Sequence, residues 1–241
     1  MIDPLAELLS SSPGRRSAFL FLVVVALLFV PSVSFPSDIP NALIVLETPP
    51  GTPGSDPTAA LPRFVLLKDG EVFVGGTAQF QTARLEKGDV QALRRRADAA
   101  RKAAGRNRMI TFAGEDQPPI RLRLPEDGPT EIAITGDPAL APANLQPLAG
   151  LLRELLAYDN PGLAPYRPAS YALRARAGVR LPGGCRTWGF PWPIEQAVEQ
   201  PRAVSAAEAA SWPTGALPAS VCAGDRRYEV TLQPLLPGEQ P

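Results

Sequence analysis

Apolar residues in this chain gather first in one unbroken run, Ser17 to Val30 (SAFLFLVVVALLFV), and afterwards fall into short alternating or helical patterns. Arg63 to Leu67 and Glu71 to Val74 flank Lys68, Asp69 and Gly70. Phe64, Val65, Leu66, Val72, Phe73 and Val74 have strand propensity, and Asp-Gly offers positive-φ positions for a tight turn, so this stretch predicts a β-hairpin. Gln79 to Leu85 predicts a third strand. Val90, Leu93, Ala97, Ala100 and Ala104 recur at helical spacing, which predicts a helix capped by Asp89 and stopped by Gly105. Met109 to Ala113, Ile120 to Leu124 and Thr130 to Thr135 follow as strands. IRLRL and TEIAIT alternate, which places Arg121 and Arg123 on the wet face of an antiparallel sheet. Leu148, Leu151, Leu152, Leu155 and Leu156 form the apolar stripe of a second helix, Leu145 to Ala157, with Pro147 tolerated in its first turn. Beyond Pro161 the pattern thins to strands at Ser170 to Ala175 and Tyr228 to Leu232 and a short helix at Ser205 to Ala210.

The first apolar run has a different meaning. Arg15 and Arg16 precede it and Pro31, Ser32, Val33 and Ser34 close it, the layout of a secretory signal peptide. Its 14 residues fall short of the about 20 that cross a bilayer as a helix. Ser32 and Ser34 suit a cut before Phe35. Asp3 and Glu7 ahead of the arginines suit an uncleaved anchor, with the membrane reached through residues 17–30. Both outcomes stay open, and both place the rest of the chain outside the cytoplasm: anchored in the cytoplasmic membrane, periplasmic or secreted. Residues 35–62 carry Pro36, Pro40, Pro49, Pro50, Pro53, Pro57 and Pro62 with Gly51 and Gly54, and read as a spacer. Ala42 to Leu46 within it is of strand length and could instead open the domain. The organisation is thus a signal or anchor over 1–34, a Pro-rich spacer over 35–62, and one α+β domain over 63–241: a mainly antiparallel sheet with about two packed helices.

Charge and composition narrow the function. The 24 basic and 24 acidic residues cancel, so nothing points to nucleic acid. Histidine is absent, which removes the usual general base, the commonest zinc ligand and the Ser-His and Cys-His arrangements. Lysine stands only at 68, 87 and 102, and the excess of Ala, Pro and Arg fits a high-GC bacterial origin. Cys185 and Cys222, in an exported chain, predict a disulfide worth at most about 4 kcal/mol. Without CxxC spacing or histidine a metal site is not indicated, and no cofactor motif is present.

Candidate chemistry is sparse. Trp188, Phe190, Trp192 and Trp212 lie close to Cys185 and among prolines. This cluster could build a sugar-stacking platform or a peptide groove with Trp188, Trp192 and Trp212 as its binding residues, or simply pack as core, with the three tryptophans covering the bridge. Arg94, Arg95, Arg101 and Lys102, with Arg96, Arg106 and Arg108, make the first helix basic. Its plain reading is a solvated face, its functional one contact with anionic headgroups or an acidic partner. Glu115 with Asp116, Glu126 with Asp127, and Glu195 with Glu199 are the carboxylate pairs that a histidine-free hydrolase would need. The first two sit in predicted turns and the third on a helix surface. Gly75 with Gly76 and Gly183 with Gly184 lack the strand-to-helix setting of a phosphate loop. Nothing local marks Ser170 as a nucleophile beside Lys102. No catalytic residue is assigned.

The stretches PRFVLLKDGEVFV, RLEKGDVQALRRRADAA and WPTGALPASVCAGDRRYEVTLQPLLPGE resemble uncharacterised exported proteins of high-GC bacteria. The resemblance covers about a quarter of the chain and implies a family without an assigned activity or site residues. The leading expectation is a non-enzymatic envelope protein that binds a protein or polymer partner. The alternative is a carboxylate-dependent hydrolase outside the cytoplasm.

Overall fold

Two sheets carry the α+β fold of this protein, where the apolar pattern predicts one. The structure, a computed structural model, describes residues 39–48, 63–75, 79–114, 119–124, 130–178, 184–212 and 219–241. The apolar run 17–30 and most of the Pro-rich stretch lie outside the described residues. Among the described residues no helix is long and apolar enough to cross a membrane.

The first sheet has eight strands: β1 (Ala42–Glu47), β2 (Arg63–Leu67), β3 (Glu71–Gly75), β4 (Phe80–Arg84), β5 (Met109–Thr111), β6 (Ile120–Leu124), β7 (Thr130–Thr135) and β8 (Ala164–Pro165), in the order β5-β7-β6-β1-β2-β3-β4-β8. Ala42 to Leu46 is therefore an inner strand of the sheet, paired on both sides, which settles the choice between strand and spacer for those residues. Every pairing is antiparallel except β5 with β7, which is parallel. The hairpin closes as expected, with one correction. Only Gly70 takes a positive φ, +89°, and its N–H donates to Leu67 O at 3.1 Å, the pattern of a three-residue loop with glycine at the left-handed position.

Two helices cover one face of this sheet. Helix α1 (Lys87–Ala104) buries Leu93, Ala97, Ala100 and Ala104 of the stripe read from the sequence, leaves its Val90 half-buried, and ends at Gly105 with φ +60°. Its start is not where Asp89 predicted. Glu86 occupies the N-cap with no side-chain bond, and Asp89 falls in the first turn, where its charge still favours the helix dipole. Helix α2 (Gln146–Leu156) buries Leu148, Leu151, Leu152 and Leu155, each contributing roughly 1.5–3 kcal/mol; Ala149 is also buried, while Leu156 is only half-buried. Together they cover Leu46, Phe64, Leu66, Val72, Leu122 and Ile132.

The opposite face is wet only in part. Register puts Arg123, Val45, Val65 and Phe73 in one row across it. Val45, Val65 and Phe73 are buried with Ile39 and Leu236, and Tyr166 stands edge-on to Phe73 at 5.0 Å. Arg123, expected in solvent, has a side chain only 14% exposed and pairs with Glu47 at 3.2 Å. A charge so placed is kept by its partner.

The second sheet follows: β9 (Ser170–Ala177), β10 (Arg186–Thr187), β11 (Arg202–Ser205), β12 (Ala219–Ala223) and β13 (Arg226–Pro234), in the order β10-β12-β13-β9-β11. Two short helices, α3 (Glu195–Glu199) and α4 (Ala206–Ala209), lie over its apolar face. The α+β class holds, with four α-helices among the described residues: the two packed helices, α4 within the short helix predicted at Ser205 to Ala210, and α3, which the apolar pattern does not predict.

Candidate functional site: a disulfide-stapled aromatic corner

β10 is only two residues long, too short to hold an edge by its own ladder. It runs parallel to β12, with Thr187 opposite Cys222 and Arg186 opposite Val221. Cys185, immediately before it, forms the disulfide with Cys222, Cα to Cα 5.5 Å. The expected bridge is thus present, and it staples the edge strand to its neighbour. It also closes a loop spanning 37 positions that contains Trp188, Phe190, Trp192 and Trp212. Such a bridge fits an oxidising compartment.

From β10 the chain crosses the apolar face of the sheet through Trp188, Phe190 and Trp192 to Ile194, and returns later at Trp212. The rings form a ladder. Trp192 stacks on Phe190 (5.2 Å, 29°) and Phe190 on Trp212 (5.1 Å, 25°). Arg202 lies over Trp192 at 4.7 Å and Arg186 over Trp212 at 5.6 Å, so a guanidinium closes each end. Trp188 meets the ladder at steeper angles, 4.9 Å from Trp192, 5.0 Å from Phe190 and 5.6 Å from Trp212. Its indole N–H donates to Trp192 O, which leaves no buried donor unsatisfied there. Both arginines are themselves anchored, Arg186 by donating to Ser211 O at 2.8 Å and Arg202 by donating to Gln196 Oε1.

Phe190 and Trp212 are buried, whereas Trp188 and Trp192 are half-buried and face outward in part, beside exposed Pro191 and Pro193. The structure therefore brings Trp188, Trp192 and Trp212 together beside the bridge. It makes Phe190, a member of the sequence's cluster, the central rung, and adds two residues the sequence left outside the site, Arg186 and Arg202, as the ends. Arg202 carried no sequence signal, since it stands ten positions after Trp192, on β11, and meets that ring only in the folded sheet.

Beneath the ladder, the buried ring of Tyr228 sends its hydroxyl to Glu195 Oε1 at 2.8 Å. The N–H of Glu195 at the start of α3, together with that hydroxyl, holds the carboxyl below the usual range. In return, donating to the carboxylate pushes Tyr228 up. Ser205 does the same for Glu208 in a capping box at α4, its hydroxyl and N–H both lowering the carboxyl. These are structural bonds of helix starts. Glu195 and Glu199 lie one turn apart on α3, while Glu115, Asp116, Glu126 and Asp127 lie outside the described residues. Ser170 is paired with Ser205 in the sheet, and Lys102 is exposed on α1. No cluster of three or more acidic or sulfur ligands that could hold a metal occurs among the described residues.

No protein-family model, curated protein or solved structure matches the chain. The corner is therefore read from its geometry.

Proposed function

We propose that this chain is an exported, non-enzymatic binding module of the cell envelope, and that it docks a protein partner through the corner formed by Trp188, Trp192, Arg186 and Arg202. The observation that carries this reading is the ladder. It fixes half-buried Trp192 in a stack closed at each end by a guanidinium, with half-buried Trp188 edge-on against it, on an edge fixed by a disulfide. Trp and Arg are the side chains most enriched among residues that dominate protein interfaces, and pre-ordering them removes much of the entropy that binding would otherwise lose. The same geometry argues against sugar stacking, which needs a free ring face, since Trp192 is stacked on Phe190 and lies under Arg202.

The test is site-specific photocrosslinking in the native host, with the reactive group at exposed Pro191. Exposed Leu140, on the first sheet's side of the fold, serves as reference. The expected result is one adduct of defined mass from position 191, none from 140, and loss of the adduct when Trp192→Ala is added to a chain of unchanged melting temperature. No adduct at 191, or one that survives Trp192→Ala, sinks the proposal.

A further inference from the structure

Helix α1 and the turn after it hold the densest charge in the molecule. Between residues 94 and 108 stand Arg94, Arg95, Arg96, Arg101, Lys102, Arg106 and Arg108 against Asp98 alone, in a chain whose overall charge is zero. Since Leu93, Ala97, Ala100 and Ala104 face the sheet, Arg95 and Lys102 fall on the outward side of the helix at 100° per residue, and both are exposed. Arg106 and Arg108 continue the exposed row past Gly105. A second, independent feature adjoins it. Met109, the residue after the last arginine, is 71% exposed, the most exposed large apolar side chain among the described residues.

A row of cations ending in an exposed thioether is the chemistry of a surface that sits on an anionic bilayer: charge drawn to headgroups, apolar tip into the acyl boundary. The length of chain outside the described fold makes such contact reachable. Eleven residues, Pro31 to Asn41, separate the apolar run from strand β1, a span of at most about 40 Å. The chain enters the fold near the first turn of α1: Asn41 O accepts the Lys68 N–H at 2.9 Å, and the turn at Gly70 packs on Leu85 and Val90, so the 18 residues of the helix carry its arginine end about 27 Å from there, within that span.

We infer that the outward face of α1, with Arg106, Arg108 and Met109, binds the surface of an anionic phospholipid membrane. The inference rests on the export part of the proposed function and is independent of the aromatic corner. Partial charge neutralisation of the lipid is worth about fivefold in partitioning for each basic residue that reaches the surface.

Lysine at only three positions makes the test direct. The full chain is mixed with lipid nanodiscs of phosphatidylcholine alone or enriched in phosphatidylglycerol, and the acylation rate of Lys102 is followed by mass spectrometry. Lys102 is expected to react several-fold more slowly with the anionic discs only. The slowing should vanish at high salt and in the R95Q/R106Q/R108Q variant. Equal rates in both lipids overturn the inference and assign the face to water or to an acidic protein. Co-elution of the chain with the neutral discs reports separately on the anchor, so failure of the anchor and failure of the lipid contact give different results.

Discussion

Replacing Gly70 with valine probes the hairpin and the helix start together. Gly70 sits at φ +89°, where a Cβ costs an L-residue about 1–2 kcal/mol, and a β-branched side chain more. An added Cβ would also lie 3.1 Å from Leu85 O and 3.3 Å from Val90 Cγ2, so the backbone at the junction of β4 and α1 must shift. That junction is held by the Leu85 N–H donating to Gly70 O at 2.9 Å, a bond worth about 1 kcal/mol. Together these give a loss of about 2–4 kcal/mol, or roughly 5–15 °C in melting temperature for a domain of this size. Gly150→Ala is the matched control. It lies inside α2 with open space around a new Cβ, and should stabilise by about 1 kcal/mol. Urea unfolding followed by circular dichroism, with the disulfide intact, reads both. A Gly70→Val midpoint equal to or above wild type would mean that neither the left-handed backbone nor the contact with Leu85 exists.

Removing the bridge by Cys185→Ser with Cys222→Ser should lower unfolding free energy by about 4 kcal/mol, the loop-closure value for a sequence separation of 37, and an unchanged midpoint would deny it a structural role. A double-mutant cycle of Arg202→Met and Trp192→Leu should return a coupling of about 0.5–2 kcal/mol, whereas strict additivity would mean that the ladder's end contributes nothing. Glu195 and Glu208 titrate below the ordinary glutamate value of 4.5, so the folded state binds their protons less readily than the unfolded chain. Their stabilisation is complete above that value and is lost as pH falls through the lower folded values. Tyr228→Phe should raise the titration midpoint of Glu195 by NMR, and no movement would show that the hydroxyl does not reach it.

What the sequence disclosed divides along the contact order of each element. Ile120–Leu124 and Thr130–Thr135 form with the predicted ends because alternation is a local signal that survives any partner. The buried stripes of both long helices were likewise visible, since 3.6-residue spacing needs no knowledge of the sheet beneath. The helix start was misread because Asp89 has the better capping side chain. The bond from Leu85 to Gly70, a contact between residues 15 apart, instead brings β4 to an end so that the helix begins at Lys87. In the second sheet β10, β11 and β12 are short or built of small residues, ASVCA and RAVS among them, and exist through pairing with β9 and β13 and through the bridge. The three tryptophans and both cysteines were legible as a group. Their ladder was not, because the order of its rings and the arginine at its Trp192 end, supplied by β11, exist only once the sheet has formed.

The most direct test of the account is thiol trapping in the native host. Cells are quenched with an alkylating polymer before any reduction, then fractionated, and the intact mass of the protein is read in each fraction. The account predicts a chain outside the cytoplasm, full length in the membrane or starting near Phe35, that takes up the reagent at Cys185 and Cys222 only after reduction. A cytoplasmic chain with both thiols labelled at once would contradict the export reading and the stapled corner together.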